Sequence, residues 1–196
     1  RTHPLTVVPT FLGAHVVGPE HRGDPDRYVD LVIHEMLPEV AALELARFCD
    51  VFVEDGAFDV PRARRILRQA RDLGLGCKVH AEQLGRCGGA ALAAEMGAVS
   101  ADHLDHATPE DAAAMAAAGT TAVLLPGATF FLNKSRFPDG RMLRDAGVHV
   151  ALSTDWNPGS SMTSNLFLMA TFGAVRCGLR PAEALLGITL EAARAL

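Results

Sequence analysis

The chain has 196 residues, 49% of them hydrophobic and 21% charged, and carries a net charge of −5. That balance excludes a disordered or fibrous polypeptide, and an acidic chain without a Lys/Arg cluster excludes nucleic acid or an anionic membrane as its main partner. A small-molecule substrate is expected.

Apolar, β-rich runs alternate with amphipathic helical patterns along the chain. A strand over 5–12 leads through an irregular stretch at 16–24 into a long helix over 25–46. Then come strand 51–54 with helix 60–73, strand 77–80 with helix 88–96, and strand 99–104 with helix 109–118. Strand 121–125 precedes an irregular stretch at 127–139, whose length and paired aromatics suit a segment covering a site. A short helix over 140–146 leads to strand 148–154, and only helices follow, over 165–176, 181–186 and 189–196. Gly74, Gly97, Gly119 and Gly147 suit left-handed C-caps, and Thr108 before Pro109 suits an N-cap. Strands alternating with helices imply parallel pairing through crossovers, hence one α/β domain.

The four cysteines, Cys49, Cys77, Cys87 and Cys177, form neither a CxxC pair nor a disulfide scaffold, which points to reduced thiols in a cytoplasmic protein. No signal pattern opens the chain, and no apolar run approaches the roughly 18 residues that span a bilayer.

The predicted strands end near His15, Glu54, His80, His103, Pro126 and Asp155. A parallel α/β barrel opens all its strand C-termini on one face, so these side chains are expected to converge. Imidazoles and a carboxylate buried together are costly unless they pair or bind a cation, which favours a metal or catalytic site there. His106 reads as a loop residue, and His3, His21, His34 and His149 as surface or structural residues. The "GRCGGAA" run lacks both nucleotide-loop spacings. Neutral imidazole with carboxylate suits zinc or iron, and an ion with an open position activates water and polarises a carbonyl. A neighbouring Asp or His then moves protons, so the pattern fits hydrolysis at a carbon bearing nitrogen, by amide cleavage or deamination.

The ordered set "FLGAH", "DVFVEDGAF", "KVHAEQL", "SADHL", "AVLLPGATFFL" and "STDWNPGSS" resembles the imidazolonepropionase family of metal-dependent amidohydrolases. The resemblance implies a (β/α)8 TIM barrel and hydrolysis of the cyclic amide of 4-imidazolone-5-propanoate to N-formimidoyl-L-glutamate, a step of histidine degradation. It implies that His80 and Asp155 ligate one divalent ion, zinc or iron, and that His103 and Asp155 are catalytic. His15, Gln83, Asn157, Gly159 and Ser160 are implied to bind substrate, the last three its carboxylates, which agrees with the donors of a Gly/Ser turn. Glu54 and Glu82 have no settled role, although Glu82 could orient Gln83 or a metal ligand. The complete enzyme is expected to be a cytoplasmic homodimer.

The sequence departs from the family by having no HxH pair and neither the Arg nor the Tyr that grip substrate. It reads as an internal fragment, about strands 3 to 8 of the barrel, without the first two strands and the small β-domain, and inactive in isolation. Two alternatives are another amidohydrolase, such as a nucleobase aminohydrolase, and a non-catalytic (β/α) scaffold.

Overall fold

A computed structural model describes residues 4–196; His3 lies outside the described residues. Six strands form one parallel sheet in chain order: β1 (Thr10–Ala14), β2 (Phe48–Val53), β3 (Gly76–Ala81), β4 (Ser100–His103), β5 (Thr121–Leu124) and β6 (Val150–Leu152). The crossovers are helical: α1 (Pro25–Leu31) and α2 (Leu37–Ala42) before β2, α3 (Val60–Asp72) before β3, α4 (Gly89–Met96) before β4, and α5 (Pro109–Ala118) before β5. Helices α6 (Pro126–Phe131) and α7 (Gly140–Asp145) precede β6, and α8 (Leu166–Arg176), α9 (Pro181–Gly187) and α10 (Leu190–Arg194) follow it. This is the α/β architecture expected, a run of β/α units of the TIM-barrel type. Among the described residues β1 and β6 each keep one unpaired edge, a feature that invites association.

Alternation along each strand separates two layers. Cys49, Val51 and Val53 of β2 and Cys77, Val79 and Ala81 of β3 are buried in one core with Ile66 and Leu67 of α3 and Leu92 of α4. Burial of such side chains contributes about 1.5–3 kcal/mol each. The close approach of α4 requires Gly89, where a Cβ would stand 2.9 Å from that of Ala81 and 3.1 Å from that of Val53. The opposite faces carry the polar residues Asp50, Lys78, His80, Ser100 and Asp102. Buried Lys78 donates to Ser100 Oγ at 3.0 Å and to the Ala195 carbonyl at 2.5 Å, and its Nζ lies 4.7 Å from the centre of the Phe48 ring. Glu191, with Arg144, Arg194 and His149 around it, pins α10 to the sheet, so His149 is structural.

Three expectations change. The first strand begins at Thr10, because its partner β2 starts at Phe48 and the Pro9 carbonyl receives the Arg47 N–H before pairing starts. The helix expected over 25–46 passes through a π turn, Val32–Met36, and ends at Ala42. Pro38 lacks the N–H that would continue an α-helical ladder, and the wider turn, in which Leu37 N–H reaches the Val32 carbonyl, absorbs that loss. The first five residues of the stretch over 127–139 are helical, as part of α6. Its Phe-Phe pair gives no helical signal, and α6 is held by burial of Pro126 to Thr129, with Gly127 against Met169 and Ser161.

Candidate active site

The strand ends bring His15, His80, His103 and Asp155 to one region, with Asp50 beneath them. Asp50 of β2 is 2% exposed and lies in register with Lys78, two residues before His80. Its Oδ1 meets His80 Nδ1 at 2.9 Å and His15 Nε2 at 3.4 Å. The His80 ring stands edge-on to His15, with centres 4.5 Å apart, and 5.1 Å from the His103 ring. One donor atom from each of His15, Asp50 and His80 falls within 4.8 Å of the others, a spacing that suits one cation. His103 adds a buried Nδ1 with no hydrogen-bond partner among the described residues, a group left free to meet a ligand. The residues present therefore fit a divalent ion.

Electrostatics separates the two buried imidazoles. Burial disfavours charge on His80, but the carboxylate of Asp50, with Asp102 and Asp155 beyond it, outweighs this and raises its pKa to about 9. Burial also opposes ionisation of Asp50, yet His80 and His15 hold that carboxyl well below its usual range. His103 is pushed well below its ordinary value by burial and then by the neighbouring His80, so it is neutral at pH 7. Burial raises the carboxyl of Asp155, while His80, Ser160, Asn157 and His15 pull it down.

The backbone is strained at the same place. Glu82, His103, Leu104 and Asp155 have φ of 55°, 75°, 67° and 48°. Left-handed non-glycine residues cost about 1–3 kcal/mol each and concentrate at functional sites. These four follow or end β3, β4 and β6.

After Asp155 the chain forms a tight turn closed by bonds between the backbones of Asn157 and Ser161. Asn157 Oδ1 accepts the N–H groups of Gly159 and Ser160, each at 2.8 Å, and its Nδ2 donates to the Asp155 carbonyl at 2.7 Å and to Ser160 Oγ at 2.9 Å. The expected anion-binding donors are thus present together, but they bond one another. Gln83 is half-buried on the segment after β3 and makes no hydrogen bond among the described residues. His106 lies in a turn, as expected.

Asp105, beside His103, is 5% exposed and accepts the Thr129 hydroxyl at 2.6 Å, while Arg136 donates to its backbone carbonyl, so the segment after β5 is tied to the end of β4. Burial raises its carboxyl from 3.8 to about 6. The folded state therefore prefers the protonated acid: the penalty is absent below about pH 4, grows between pH 4 and 6, and is complete above. Asp105→Asn keeps an acceptor for Thr129 and should stabilise the protein by about 1–3 kcal/mol at pH 8, with little effect at pH 4. Thermal melts of both proteins across that range test this.

Asp50 escaped notice in the sequence as an individual residue. Its signal was an acid inside the buried run "FCDVFV", two positions before Phe52, the register partner of His80.

No family model matches the chain. It is 52% identical over 197 residues to an imidazolonepropionase of Symbiobacterium thermophilum, covering 100% of this chain and 46% of that protein. An imidazolonepropionase of Sphingopyxis alaskensis is 52% identical over 98% of this chain and 47% of its own length. That of Geobacillus kaustophilus is 51% identical over 100% and 46%. The chain thus spans about half the length of the curated relatives it matches. Among solved structures, a zinc-bound adenosine deaminase from Xanthomonas campestris is similar with a TM-score of 0.69 at 20% identity, over 88% of this chain and 44% of that one. An amidohydrolase from a Sargasso Sea sample gives 0.67 at 20% identity, over 93% and 46%. At that identity these structures show the fold alone, whereas the matches at about half identity run the full length of this sequence. Over essentially its whole length the chain is thus similar to imidazolonepropionases, matching a stretch of about half of such a protein.

Proposed function

We propose that the complete protein carrying this chain hydrolyses the cyclic amide of 4-imidazolone-5-propanoate to N-formimidoyl-L-glutamate, using one divalent ion, zinc or iron. The observation that carries the reading is the meeting of His15, Asp50 and His80 beside a neutral, unpartnered His103. The sequence matches favour this substrate over a nucleobase, since imidazolonepropionases align with the whole chain at about half identity. We further read the chain as strands 3 to 8 of the barrel in a cytoplasmic homodimer, with the first two strands and a small β-domain supplied by the rest of the polypeptide.

His80 and Asp155 would hold the ion; of the His15, Asp50 and His80 cluster only His80 would ligate it, since Asp50 is spent on His80 Nδ1 and His15 faces the substrate. Asp50 bonds His80 at Nδ1, which leaves Nε2 as the ligating atom, and a carboxylate on the far nitrogen of a ligating histidine fixes its ring and raises its basicity. When bound, the metal supplies Lewis acidity, which activates water and polarises the ring carbonyl.

Asp155 accepts the proton released as water adds to the carbonyl carbon and returns it to the ring nitrogen as the C–N bond breaks. His103, neutral and buried, assists as acceptor or donor at its free Nδ1. His15 and Gln83 contact the imidazolone ring. Asn157, Gly159 and Ser160 hold the propionate, whose oxygens replace Asn157 Oδ1 as partner of the two N–H groups. Asn157→Ala should accordingly raise KM about 10- to 100-fold and change kcat by no more than about 3-fold, the mark of lost uniform binding. Steady-state kinetics of the complete enzyme checks this, and an unchanged KM removes Asn157 from the substrate contacts.

A further inference from the structure

Two further carboxylates lie beside the site, buried and without an ion-pair partner among the described residues. Glu54, directly after β2, is 4% exposed, and Glu82, directly after β3, is 0% exposed. Both spend their oxygens on one segment. Glu54 Oε2 accepts the Leu84 N–H at 2.8 Å, and its Oε1 accepts the Cys87 thiol at 3.0 Å and the Asp55 N–H at 3.3 Å. Glu82 accepts the N–H of Cys87 at 2.8 Å and that of Ala90, in the first turn of α4, at 3.2 Å. The Glu82 carbonyl also takes the His106 N–H at 2.9 Å, and that of Ala81 takes the Leu104 N–H at 3.0 Å, which joins the His103 turn to the same point.

A buried carboxylate without a cation is costly unless its oxygens are hydrogen-bonded, and here backbone N–H groups meet them. Hydrogen bonds to a charged acceptor are about twice as strong as neutral ones, so such a clamp is stiff. Glu82 itself sits at a strained φ of 55°, and strain of this kind persists only where the surroundings fix the conformation. Gln83 lies between the two anchors, with Glu82 on one side and Leu84, held by Glu54, on the other.

We propose that Glu82 and Glu54 are positioning residues that clamp the segment carrying Gln83, fixing that side chain for substrate while leaving the metal ligand His80 in place. This rests on the reading of Gln83 as a substrate contact. Glutamine at position 82 or 54 retains one acceptor oxygen and cannot satisfy every donor, so the clamp loosens without loss of bulk.

The complete enzyme, loaded with zinc, tests this through Glu82→Gln, Glu54→Gln, Gln83→Ala and the double variant Glu82→Gln/Gln83→Ala. Glu82→Gln should raise KM at least about 10-fold with metal content per subunit unchanged, and the double variant should be no worse than Gln83→Ala alone, because coupled sites are non-additive. The Glu54 hydrogen bond, helped by burial, raises the Cys87 thiol to about 11, so Glu54→Gln should speed alkylation of Cys87 by iodoacetamide at pH 8 at least about 10-fold. Full additivity of the double variant, loss of metal in Glu82→Gln, or an unchanged Cys87 rate in Glu54→Gln overturns the clamp. An effect on Cys87 with no KM change in Gln83→Ala instead overturns the substrate reading of Gln83. If Glu82→Gln does not fold, Glu54→Gln and its double with Gln83→Ala carry the same comparison.

Discussion

Asp155→Asn should lower turnover by about 10³-fold or more, with unfolding free energy within about 1 kcal/mol of the parent. The side chain keeps its volume and one acceptor oxygen, and the bond from Asn157 Nδ2 to the Asp155 backbone carbonyl is untouched. Its loss is confined to the negative charge and to the basic oxygen that takes a proton. Burial raises the Asp155 carboxyl, which disfavours its charged form in the metal-free protein. The backbone there, at φ 48°, is also compatible with Asn, which tolerates left-handed geometry better than most residues. A rate near that of the parent would remove Asp155 from the chemistry.

His80→Ala should act twice. In the metal-free protein it leaves Asp50, 2% exposed, with only the longer 3.4 Å contact to His15, and removing one partner of a buried ion pair costs about 3–5 kcal/mol. In the loaded enzyme it removes a proposed ligand, so metal content and turnover should both collapse. The two effects separate in Asp50→Asn/His80→Ala: stability should recover relative to His80→Ala, since no uncompensated charge remains buried, while metal binding stays lost. Chemical denaturation with metal analysis reads both, and a His80→Ala protein of parental stability contradicts the pairing described here.

Much of this was legible in the sequence because strand ends are marked by abrupt changes of polarity. Val79 to His80 and Leu152 to Asp155 show where an apolar strand hands over to chemistry, and parallel topology alone then carries scattered residues to one face. Helix caps such as Thr108 and Gly119 were equally plain, since their conformations follow from residue type. What stayed hidden depends on partners distant in sequence. Strand β1 begins where β2 allows it, α6 exists because Met169 and Ser161 cover it, and Asp50 looks like an ordinary strand residue until His80 and His15 arrive beside it. The internal bonding of the Asn157 turn was likewise invisible, because composition names donors and acceptors without saying which of them meet.

The most direct test follows product formation from 4-imidazolone-5-propanoate by the complete protein, first loaded with zinc or iron, then stripped by chelator, then reloaded. N-formimidoyl-L-glutamate should appear with the loaded protein, vanish on stripping and return on reloading. A stoichiometrically loaded protein that forms none of it, or turnover that survives complete metal removal, would contradict the account.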